Sequence, residues 1–101
     1  MIYLKSIKIR NKVYSLDMYL YSNHIFISHF QIASKYRGRK YSYRIFESLL
    51  SKYKRCIMLE CFKTLLPYYQ KLCFRISEQE DNQGYYLMVK EHKEQENETT
   101  N

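Results

Sequence analysis

The chain has 101 residues, enough for one domain with a modest core, and its 46% apolar content is too high for a globally disordered polymer. No apolar run approaches the ~20 residues that span a bilayer. Met1-Ile2-Tyr3-Leu4-Lys5 lacks the apolar stretch of a signal peptide, so the cytoplasm is the expected compartment. The net charge of +7 points toward phosphate-bearing partners.

Ile2 to Ile9 reads as a first strand. Its apolar positions shift phase between Leu4 and Ile7, which predicts a bulge or a strand end. Arg10-Asn11-Lys12 is a turn, and Val13 to Tyr21 is the second strand. Ser22-Asn23 connects it to a third, His24 to Ala33, the most apolar of the set. Consecutive strands joined by tight turns form an antiparallel meander.

The segment Ile32 to Ser42 then takes the chain from a strand through a basic, glycine-containing turn into a helix. The first N–H groups of a helix have no internal partner, and the dipole adds partial positive charge at that end. Arg37, Arg39 and Lys40 add full charge. This is the pattern of an anion site, suited to a phosphorylated cofactor.

The helix itself is signalled by Tyr41, Ile45, Phe46, Leu49, Leu50 and Tyr53, which form one apolar stripe at helical spacing. Cys56 to Cys61 reads as a buried strand. A strand, a crossover helix and a strand imply parallel pairing with the third strand. Thr64 is placed to cap a short helix through Leu72, with Pro67 tolerated in its first turn. Phe74 to Ser77 and Tyr85 to Val89 are the last strands, joined by a polar loop from Glu78 to Gly84. The domain is expected to span residues 1–91, and residues 92–101, without apolar anchors, to form a disordered polar tail.

Cys56, Cys61 and Cys73 are an odd number in a chain without an export signal, which argues against a disulfide framework. Their spacing matches no zinc pattern, so no metal site is expected and all three read as small buried residues. Eight basic residues fall between Lys35 and Arg55, around the proposed anion turn. Such a focus attracts nucleic acid as well as small phosphates. The abundance of Lys, Tyr, Ile, Ser and Asn in a small protein points to an AT-rich source such as a phage or mobile element.

Two segments resemble GNAT-type N-acetyltransferases. Arg37-Gly38-Arg39-Lys40-Tyr41-Ser42 is similar to that family's Arg/Gln-x-x-Gly-x-Gly/Ala turn, with Lys40 at the first glycine position and Ser42 at the last small one. Leu66 to Phe74 resembles the family's Phe-Tyr-Glu-Lys-Leu-Gly-Phe helix, with Tyr69, Lys71, Leu72 and Phe74 in place and Cys73 at the glycine. The resemblance covers roughly Lys12 to Lys90. It implies an α+β fold whose mixed sheet follows the order β-β-β-α-β-α-β-β, without the family's opening strand and first two helices.

The resemblance also implies the chemistry. Acetyl-CoA is the implied cofactor, its pyrophosphate on Arg37, Gly38, Arg39, Lys40, Tyr41 and Ser42, and its pantetheine arm along the backbone of Phe30, Gln31 and Ile32. Tyr69 is the implied general acid. The base stays open among His24, His29 and Glu60. The missing helices belong to the acceptor side, so an open site for a macromolecular amine, or one closed by a second copy, is expected. The leading reading is an N-acetyltransferase acting on a macromolecule. The alternative is a non-catalytic binding module of the same fold with a protein or nucleic-acid partner; of these, the protein is favoured. A membrane partner is not expected.

Overall fold

The computed structural model describes residues 2–78 and 83–92. The expected tail from residue 93 onward and the centre of the Glu78–Gly84 loop lie outside the described residues. The described elements are β1 Lys5–Arg10, β2 Tyr14–Leu20, β3 His24–Ile32, α1 Tyr41–Tyr53, β4 Cys56–Phe62, α2 Leu66–Lys71, β5 Arg75–Glu78 and β6 Tyr85–Lys90. Short 3-10 turns at Ser34–Tyr36 and Lys63–Leu65 precede the two helices. The order is the expected β-β-β-α-β-α-β-β.

One six-stranded mixed sheet runs β1-β2-β3-β4-β6-β5. β3 and β4 pair in parallel; the other neighbours are antiparallel. Asn11 sets the first hairpin: its Oδ1 accepts from the backbone N–H groups of Val13 and Tyr14, both at 2.9 Å, as an Asx turn does. Leu16, Met18 and Leu20 alternate onto one face with Ile25, Ile27, Ile57, Leu59 and Met88, and all are buried. Both helices cover that face. Phe46 of α1 is fully buried at the centre, with ring centroids 4.8 Å from Phe30, 5.2 Å from Phe74 and 6.4 Å from Tyr69.

Three expectations are corrected. β1 starts at Lys5 and pairs with β2 in unbroken register, Ile7 opposite Met18 and Ile9 opposite Leu16. Ile2 and Leu4 precede the strand and are exposed, so the phase break is a strand start, not a bulge. Thr64 does not cap α2: it lies inside the 3-10 turn, and the chain enters the helix from Leu65 without a side-chain cap. Cys61 is buried, but Cys73 is exposed and Cys56 is half-buried. The described residues contain no cluster of ligating side chains fit for a metal, and no helix among them is long and apolar enough to cross a membrane.

Candidate active site

The site begins where the sheet divides. β3 and β4 pair only from His24 opposite Cys56 to Ile27 opposite Leu59. Across β2, Met18 opposes Ile27 while Asp17 opposes His29, so Ser28 is an extra, bulged residue. Beyond it Phe30 and Ile32 stay paired to β2, while Glu60, Cys61 and Phe62 stay paired to β6. The two strands part there. Among the described residues no strand pairs with the backbone that faces the gap; the Ile32 carbonyl there accepts from Arg37 Nε, and the rest of that edge can meet an extended, amide-bearing ligand.

The gap leads to the N-terminus of α1. No side chain caps this helix, and its first turn holds no acidic residue. The backbone N–H groups at its start are therefore free for an anion. Gly38 has φ +77° with open space around a hypothetical Cβ, so glycine serves conformation and not close approach. Lys40 is the N-cap at φ 65°, a left-handed conformation costly for a lysine. It occupies the resemblance's glycine position and keeps a backbone suited to glycine. Arg37 donates from Nε to the Ile32 carbonyl at 2.9 Å, which ties the turn to the end of β3.

These parts enclose one cleft of roughly 970 Å³ between β3, the turn, α1 and α2. Of the residues expected to bind a cofactor, Phe30, Gln31, Ile32, Arg37, Gly38, Lys40, Tyr41 and Ser42 line it; Arg39 does not. Tyr69 lines it from the opposite wall. Its ring is buried against Phe46, Phe74 and Tyr68, and burial pushes its hydroxyl pKa up to about 12. It is a protonated donor throughout the physiological range.

The three base candidates are not gathered in this cleft. His24 sits at the hairpin end of β3, stacked on Tyr21 and bonded to Asn23, with its pKa lowered by burial. Six residues of extended strand, about 20 Å, separate it from Phe30. His29 and Glu60 stand on the helix-free side of the sheet, one on each parting strand. The His29 Nε2 is 2.7 Å from the Ser15 hydroxyl.

Sequence reasoning missed two side chains. Tyr68 also lines the cleft, and its hydroxyl hydrogen-bonds to that of Ser42, joining α2 to the first turn of α1. The doubled tyrosine was the available signal: successive helical residues point about 100° apart, so only one of them can face the core. The other is Lys90, which is almost fully buried. Its ammonium donates to the Leu72 carbonyl at 2.7 Å and lies 3.0 Å from the Glu47 carboxylate. Strand alternation from Met88 already places Lys90 on the buried face.

Cys73, at the other glycine position of the resemblance, has φ 72° and follows α2 as a left-handed helix stop. Cys73→Gly is expected to raise stability by about 1 kcal/mol, read as a higher urea midpoint. An unchanged or lower midpoint would show that the left-handed cysteine carries no strain.

No protein-family model and no curated protein matches the sequence. Solved structures do match. The anti-CRISPR protein AcrVA5 superposes with TM-score 0.66 at 16% identity, over 85% of this chain and 98% of its own. A GNAT-family protein from Bacteroides thetaiotaomicron, assigned as an acetyltransferase, gives 0.64 at 22% identity over 81% of this chain. The ribosomal-protein-S18-alanine N-acetyltransferase from Escherichia coli gives 0.68 at 9% identity over 97%. The chain spans 56% of the Bacteroides protein and 76% of the Escherichia coli enzyme. The fold is that of the GNAT-type N-acetyltransferases.

Proposed function

We propose that this chain puts its GNAT-type fold to use as an N-acetyltransferase, taking an acetyl group from acetyl-CoA to an amine on a macromolecule. The observation that carries the reading is the cleft. It joins an uncapped, basic helix start, a strand edge free for amide pairing, and a protonated tyrosine. A merely structural groove needs none of these together.

The residues fit the cofactor. The N–H groups at the start of α1, with Arg37 and Lys40, suit a pyrophosphate, and no carboxylate in the first turn opposes it. The Phe30–Ile32 backbone can pair with the pantetheine amides. Bound acetyl-CoA supplies an activated thioester. The chain's part is to hold the thioester at the gap, orient the amine against it, and protonate the departing sulfur from Tyr69. His29 and Glu60 flank the entrance on the other side and are the candidates to accept the amine's proton.

A macromolecular acceptor, a protein before a nucleic acid, is supported by the gap's opening onto a sheet face that no described helix covers. Lys40 and Cys73, which replace the resemblance's glycines, favour the non-catalytic alternative by residue type. Their retained positive φ angles weaken that argument.

Calorimetric titration with acetyl-CoA tests the site, and mass analysis of a lysine-bearing peptide tests transfer. Saturable binding with acetylated peptide is expected. Binding without transfer to any amine would favour the binding module; no binding at millimolar cofactor would remove both. Gly38→Pro cannot adopt φ +77° and is expected to weaken acetyl-CoA at least 10-fold, because the ring holds φ near −65°. Arg37→Ala should weaken it less, and most visibly at low salt.

A further inference from the structure

We propose that the Tyr68 hydroxyl is a second-wall ligand for the pyrophosphate, held at the phosphate turn by Ser42. The inference rests on the acetyl-CoA reading and extends it across the cleft, to a side chain on α2.

Ser42 is the second residue of α1, so its side chain stands beside the N–H groups that face an anion. It is buried, only 8% exposed, and its hydroxyl is bonded to that of Tyr68. Tyr68 itself is 41% exposed and lines the same cleft. Its ring packs edge-on against Tyr69, centroids 5.0 Å apart, which fixes its direction.

Proton accounting gives the pair a use. Two hydroxyls carry two protons, and the bond between them uses one. The other is left to donate. Beside the open N–H groups and the basic turn, an anion is the acceptor best suited to take it. If Ser42 donates to Tyr68, the phenolic O–H is the free donor. The neighbouring tyrosines then divide the work: Tyr68 serves the phosphates, and Tyr69 serves the thioester.

The division predicts a phosphate-specific effect, which a packing role would not produce. Binding of acetyl-CoA and of S-acetylpantetheine, which lacks the pyrophosphate, is to be measured on wild-type protein and on Tyr68→Phe. The variant keeps the ring, so its melting temperature serves as the folding control. Acetyl-CoA affinity is expected to fall about 10-fold, with S-acetylpantetheine changed less than about 2-fold. Ser42→Ala, which leaves the phenol but frees it, should give a smaller loss with the same selectivity. A Tyr68→Phe variant that binds acetyl-CoA like wild type overturns the inference alone. So does an equal loss for both thioesters, which would make Tyr68 a packing residue. Wild-type protein that binds neither thioester overturns the acetyl-CoA reading and this inference with it.

Discussion

Tyr69→Phe is expected to lower the acetyl-transfer rate about 100-fold while leaving acetyl-CoA affinity and folding nearly unchanged. The ring contacts with Phe46, Phe74 and Tyr68 survive the substitution, and only the proton donor goes. An unchanged rate would reduce Tyr69 to a core tyrosine. The same hydroxyl gives a pH signature. Its folded pKa of about 12 lies above the unfolded value near 10. Between those values the unfolded chain loses the proton and the folded chain keeps it, so stability falls as pH rises. The full loss is of order 2–3 kcal/mol for this group and is complete above both values. Tyr69→Phe should lack that component, so the wild-type and variant stability curves should converge or cross between pH 10 and 12. Parallel curves would show that burial does not raise this hydroxyl. Below pH 10 the tyrosine stays protonated, and the transfer rate should rise with pH as the amine substrate loses its proton.

Lys90→Ala is expected to cost about 3 kcal/mol, a fall in melting temperature of more than 10 °C for a domain this small. The buried ammonium is the donor for the Leu72 carbonyl just past the end of α2 and the partner of Glu47 on α1. It also lies over the Tyr43 ring, 5.7 Å from the centroid. Its removal leaves a carbonyl short of a donor and a hole under both helices of the cleft. Glu47→Gln should cost much less, about 1 kcal/mol, because the carboxylate is partly exposed and water can serve it. Thermal melts of the two variants decide the matter; equal, small losses would make Lys90 a surface-like lysine despite its burial. The clamp and the Ser42–Tyr68 bond join α1 and α2 at two places, one through a buried charge and one through neutral hydroxyls at the cleft wall.

What the chain's order of residues determined by itself was the element sequence, the parallel crossover and the basic, glycine-containing turn before α1. These are local or periodic. The α1 stripe from Tyr41 to Tyr53, the alternation of Leu16, Met18 and Leu20, and Gly38 among basic residues each act through near neighbours. Even the residues that break the family pattern, Lys40 and Cys73, take up the left-handed backbone of the glycines they replace. Tertiary structure decided the rest, because it depends on which strands stay paired and which part. The Ser28 bulge, the end of β3–β4 pairing after Ile27 and the cleft that follows arise from registers on two different neighbours. The choice between Tyr68 and Tyr69, and the burial of Lys90 beneath both helices, follow from packing around Phe46, where contacts join residues far apart in the chain. Local pattern selects an element and its faces. Only the assembled sheet and helices determine what each face meets.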